Sequence, residues 1–134
     1  MSDYKFTLPL SVILKRKTKK DAKVSVNLNA FRSMHHRTYT EAKKEYCNVM
    51  SDQLNSVDTA MGKMHLHYDF YAAMNNGPDL DNFVGAAKKF FQDAMVFHGF
   101  IEDDNVNFIG SNSEKYCGVD RKNPRIDVTV TIIY

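Results

Sequence analysis

Apolar residues fall on every second position from Phe6 to Leu14, at Phe6, Leu8, Leu10, Val12 and Leu14. That period lines up five side chains on one face of an extended strand, which a helix of 3.6 residues per turn does not do. The alternation returns at Val24, Val26 and Leu28, at Leu66, Tyr68 and Phe70, and at Ile126, Val128, Val130 and Ile132. Between these runs the period changes. Tyr39, Ala42, Tyr46, Val49, Gln53, Val57 and Ala60 recur at three- and four-residue steps, as do Phe83, Ala87, Phe90, Ala94 and Phe97, which is the spacing of an amphipathic helix. The two periods together predict an α+β fold, a small mixed sheet with two main helices packed on it, in one domain over residues 1–134.

Local signals set the expected boundaries. Phe6 to Leu14 reads as one strand, paired with the run at Val24 in a hairpin whose tip carries Lys15, Arg16, Lys17, Lys19, Lys20 and Lys23. Residues 29–37 read as irregular. Thr38 and Glu41 have the spacing of a capping box, and Gly62 is a plausible end for the helix they start. Asn75-Asn76-Gly77-Pro78 breaks the strand before it. The second helix is expected from about Asn82 to His98-Gly99, followed by a short strand over Val106 to Ile109 and a last strand over 126–132.

Charge is unevenly divided. Up to Glu45 there are 11 Lys+Arg against 4 Asp+Glu, and after it 7 against 12, so a net charge of +2 joins a basic front to an acidic back. No apolar run reaches the ~20 residues of a membrane helix. The apolar start precedes its positive charges, the reverse of a secretion signal, and Cys47 and Cys117 have neither CxxC nor zinc-ligand spacing. These features predict a cytoplasmic protein with reduced thiols and no membrane partner. His65 and His67 share a strand face and His35-His36 a loop, without a third ligand at a zinc spacing.

The acidic back holds the chemistry. Asp79 and Asp81 lie two residues apart, which in extended backbone points both carboxylates to one side. Repulsion between such neighbours is relieved by a cation, and hard oxygen ligands suit magnesium, which binds one or two carboxylates together with substrate phosphates. A strand end, a helix and a return would bring Asp104, in Glu102-Asp103-Asp104-Asn105, to the same place. Asp81 is equally a good helix N-cap. A calcium loop does not fit, because the sixth and twelfth positions from Asp79 are Val84 and Phe90 rather than Gly and Glu.

Asp79-Leu80-Asp81-Asn82, an amphipathic helix bearing Lys89 and Asp93, and Gly99-Phe100-Ile101-Glu102-Asp103-Asp104 together resemble the RusA family of Holliday junction resolvases, with the specific similarity confined to residues 78–105. The resemblance implies a RusA-like, homodimeric, magnesium-dependent endodeoxyribonuclease that cuts four-way DNA junctions by paired symmetric nicks, with manganese able to substitute. It implies that Asp79, Asp81 and Asp104 bind the metal and act in catalysis, together with a lysine. The family places that lysine four residues after the second aspartate, where this chain has Gly85. Lys89 keeps the family's spacing to Asp93, which implies a four-residue insertion near the helix start and makes Lys89 the counterpart. The basic residue usual before the first aspartate is replaced by Pro78. DNA contact falls to Lys15, Arg16, Lys17, Lys19, Lys20, Arg32, Arg37 and Lys88, since cations on phosphates give affinity without sequence reading. A nuclease for flaps, forks or single strands, and a non-catalytic structure-selective DNA-binding protein, are the alternatives.

Overall fold

The computed structural model describes residues 3–75 and 79–133. Its strands are β1 (Asp3–Leu8), β2 (Ser11–Leu14), β3 (Ala22–Ser25), β4 (Met64–Ala72), β5 (Ile109–Val119) and β6 (Arg125–Ile132). Its helices are α1 (Leu28–Ser33), α2 (His36–Val49), α3 (Ser51–Asn55) and α4 (Leu80–Phe97). The fold is thus mixed α+β, with a four-stranded sheet in the order β1-β6-β4-β5 and a separate hairpin of β2 and β3.

The alternating runs fold as strands and bury the expected faces. Met64, Leu66, Tyr68, Phe70 and Ala72 of β4 and Ile126, Val128 and Val130 of β6 are buried, with Leu66 opposite Val130 and Tyr68 opposite Val128. The run from Phe6 to Leu14 is corrected from one strand to two. Pro9 sits between β1 and β2, and proline cannot donate to a ladder. The chain therefore leaves the main sheet, where β1 pairs with β6, and enters the hairpin, where Val12 faces Val24. The hairpin itself forms as expected, with residues 15–20 exposed at its tip.

Residues 29–37 are not irregular. Asn27 caps α1 by accepting from the Ala30 amide at 2.7 Å, and His35 caps α2 by accepting from the Arg37 amide through Nδ1 at 3.1 Å. Thr38 therefore lies inside α2 rather than at its start. The first long helix also ends sooner than expected, at Val49. Val49 is 46% exposed, and Met50 and Leu54 are buried instead, with Met50 standing between α2 and the short α3.

The second helix runs to Phe97 with His98 as its cap, close to the expected end, and Gly99 takes the left-handed backbone (φ 75°) that follows. Residues 106–108 form a turn, and the strand they were expected to start is the longer β5, parallel to β4. Because β4 and β5 are parallel, α4 is the crossover between them, and that crossover positions the site. Of the expected break at Asn75–Pro78, the residues Asn76, Gly77 and Pro78 lie outside those described. No helix among the described residues is long and apolar enough to cross a membrane.

Candidate functional site

The two aspartates of the Asp-Leu-Asp-Asn segment meet at the start of α4. The cap is Asp79 rather than Asp81: its Oδ1 accepts from the Asp81 amide at 3.0 Å, which satisfies one of the donors left free at a helix start. This leaves the exposed Asp81 carboxylate in the first turn, where the positive end of the helix dipole favours an anion. Asn82, which sequence reasoning left without a role, accepts from the Asn29 amide at 2.9 Å and ties the start of α1 to the start of α4.

Asp104 does not join them within one chain. Phe100 N–H donates to Met95 O at the far end of α4, and Ile109 N–H donates to Asn105 O, so the acidic loop sits beside the first residue of β4, Met64, which pairs with Ile109. The other end of β4 is the one near Asp79, where Phe83 stacks on Phe70 at 4.9 Å. Six residues of strand separate Phe70 from Met64, about 20 Å at ~3.3 Å per residue. The expected return of Asp104 to the same place is therefore corrected: α4 and β4 run the length of the layer between the two acidic groups. Asp103 Oδ1 and Oδ2 accept from the Asp104 amide (2.7 Å) and Asn105 Nδ2 (3.0 Å), ordering the loop internally. Among the described residues no group of three or more His, Cys, Asp or Glu side chains could hold a metal ion. Of the three aspartates, only Asp79 and Asp81 lie together, at the start of α4.

The lysines divide by environment. Helix α4 is continuous from Leu80, so Lys89 stands eight residues beyond Asp81, about 12 Å along the axis. It lies beside Leu28, Phe31, Arg32 and Tyr39 rather than beside the aspartates. Lys88 is half-buried, with Nζ 2.9 Å from Glu114 Oε1 and 5.6 Å from the centre of the Tyr68 ring, a partnership that leaves little for DNA. Gly85, where the resemblance expects a lysine, lies under α1: a Cβ placed there would be 3.1 Å from Leu28 Cδ1. The glycine lets α1 close onto α4.

At the hairpin tip Lys15 bonds Asp21 at 3.0 Å, and this bond lowers the Asp21 pKa. Arg16, Lys17, Lys19, Lys20, Arg32 and Arg37 are exposed. Asp93 receives Lys43 Nζ at 2.7 Å, and the Lys43 pKa is raised by that bond. One turn on, His98 Nε2 donates to the Cys47 carbonyl at 2.8 Å, so α2 and α4 are joined by polar bonds as well as by apolar packing. His65 and His67 are hydrogen-bonded to Ser111 and Ser113 of β5 and His67 to Asp69 at 2.9 Å, on the sheet face away from the helices.

No protein-family model matches the chain, and none of the curated proteins compared with it is significantly similar.

Proposed function

We propose that the chain is a magnesium-dependent endodeoxyribonuclease of the RusA type that resolves branched DNA by paired nicks. The observation that carries this reading is the joint between α1 and α4. Through the Asn82–Asn29 bond, the segment bearing the two aspartates is tied to α1, which carries the exposed Arg32. From Ala22 to Thr40 the chain contains Lys23, Arg32 and Arg37 and no Asp or Glu. A phosphodiester would be repelled by Asp79 and Asp81 alone, and cations beside them supply the attraction that brings a polyanion to carboxylates.

In this reading Asp79 and Asp81 would hold the metal, which when bound polarises a phosphate and lowers the pKa of a bound water. The chain's own contribution is positional. Asp79 sets the start of α4, and the helix then orients Asp81 beside it. Asn82 keeps α1 against that start, and Arg32 and Arg37 meet the DNA backbone. A third carboxylate from Asp104 requires a second copy, because within one chain it lies beyond the far end of α4 from the pair. A homodimer is also what two symmetric cuts demand, since a two-fold axis relates both the cuts and the sites.

The test is incubation of the purified chain with synthetic four-way junctions, flaps and linear duplex, in magnesium or in EDTA. Magnesium-dependent nicks at symmetric positions on the junction are expected. Nicks on flaps alone would move the substrate to another branched form. Tight junction binding with no nick in magnesium would replace the enzyme by a structure-selective binding protein.

A further inference from the structure

Helix α1, the start of α2 and the middle of α4 border an open hollow of about 360 Å³, lined by Leu28, Phe31, Arg32, Tyr39 and Lys89. Its walls are of two kinds. Phe31 and Tyr39 meet edge to face at 5.1 Å, and both pack on Phe90 below, at 4.9 Å and 5.4 Å, so the aromatic side is fixed by the core. Arg32 and Lys89 form the other side. Arg32 donates to the neutral Asn29 Oδ1 at 3.2 Å, and among the described residues no carboxylate lies within ion-pair distance of either cation. Lys15, Lys43, Lys88 and Arg125 all have such a partner. The next Lys or Arg along the chain, Arg37, is exposed as well.

Two unneutralised cations facing two fixed aromatic rings match a ligand that is anionic at one end and flat at the other. We propose that the hollow holds one unstacked nucleotide of a DNA strand, its phosphate on Arg32 and Lys89 and its base against the Phe31–Tyr39 pair. The proposal rests on the reading of the chain as a DNA-processing protein, and it gives Lys89 a task other than the chemical one implied by the resemblance. Lys89 lies about 12 Å along α4 from Asp81, so a strand held there passes close to the acidic start of the helix. Branched DNA supplies such a nucleotide, because bases at a branch point stack and pair less completely than in a duplex. Aromatic platforms take bases with little regard to sequence, which suits an enzyme that reads shape. Beside the hollow, Leu28 packs close over Gly85, where a Cβ would be 3.1 Å from Leu28 Cδ1.

The experiment is a fluorescence anisotropy titration in EDTA, so that no strand is cut, with a short labelled oligothymidylate and an abasic strand of the same length. The wild type is expected to bind the oligothymidylate about tenfold more tightly, at the low end of what one stacked base contributes. Tyr39→Leu is expected to lose that preference. Lys89→Ala is expected to keep the preference and flatten the plot of log affinity against log salt by roughly one phosphate contact, about 0.7 for a single strand. Lys89 is exposed, so that variant tests the site even where Tyr39→Leu fails to fold. Equal affinity of the wild type for both strands, or an unchanged salt slope in Lys89→Ala, overturns the proposal. So does a Lys89→Glu variant whose loss is of self-association in sedimentation rather than of DNA binding, because the hollow would then be an interface between copies. Junction nicking in magnesium scores the enzyme separately: nicking without base preference removes the nucleotide site alone, and base preference without nicking removes the nuclease alone.

Discussion

At Asp79 one carboxylate serves both the helix and the proposed chemistry, and two substitutions separate these roles. Asparagine caps a helix as well as aspartate does, whereas alanine does not. Asp79→Asn is expected to keep stability within about 0.5 kcal/mol and to abolish magnesium-dependent nicking, while Asp79→Ala also loses about 1 kcal/mol in denaturant unfolding. A cap without chemistry would leave Asp79→Asn active. Asp79 was legible as an acidic neighbour of Asp81 but not as the cap, because either residue fits that position. The structure assigns the cap through the Asp81 amide. Gly85 was legible only as a departure from a pattern, since its reason lies 57 residues earlier in the chain, in Leu28. At Tyr46 the fully buried hydroxyl has no hydrogen-bond partner among the described residues, and burial raises its pKa. Tyr46→Phe removes an unpaired polar atom at unchanged shape and is expected to raise stability by about 1 kcal/mol, where most core substitutions lower it. A loss of that size instead would mean that the hydroxyl has a partner.

Elements were legible in proportion to how one-sided their burial is. In β4, and in β6 as far as Val130, every second residue is buried, so alternation reveals them. At the sheet edge, β5 exposes Gly110, Ser111 and Asn112 in succession, and no period survives in its sequence. Helix α1 has six residues and none fully buried, so tertiary packing on α4 rather than its own pattern stabilises it, as is usual for short helices. The cap of α2 was missed because His35, not one of the usual capping residues, supplies the acceptor. The α2–α4 seam carries a pH dependence. Burial, with the Asp93 charge behind it, raises the Cys47 thiol above its ordinary 9.0. A group raised on folding contributes stability below its unfolded pKa and loses it as pH rises through the folded one. The midpoint of Cys47 alkylation against pH is therefore expected above 9.0. The melting temperature is expected to fall over the same alkaline window, and less steeply in Cys47→Ala. An alkylation midpoint below 9.0 would contradict this.

For the whole molecule, the division of charge into a basic front and an acidic back takes a spatial form that the linear count could not show. The acidic back is itself divided, with Asp79 and Asp81 at one end of α4 and Asp104 at the other, because the residues between them fold as an 18-residue helix and a turn rather than as a return. If the three carboxylates serve one reaction, they do so across two copies. Mixing Asp79→Asn with Asp104→Asn protomers is then expected to restore nicking and manganese binding that each variant lacks alone, since one site of the mixed dimer is intact. A mixture as inactive as its components would remove Asp104 from the site. Whether the start of α4 cuts branched DNA is decided by mapping nicks on a four-way junction in magnesium for the wild type and for Asp81→Asn. Asp81 is exposed and caps nothing, so the substitution is expected to leave folding and junction binding intact. Paired symmetric nicks are expected from the wild type and none from Asp81→Asn. Equal nicking by both proteins, or junction binding without a nick by either, would contradict it.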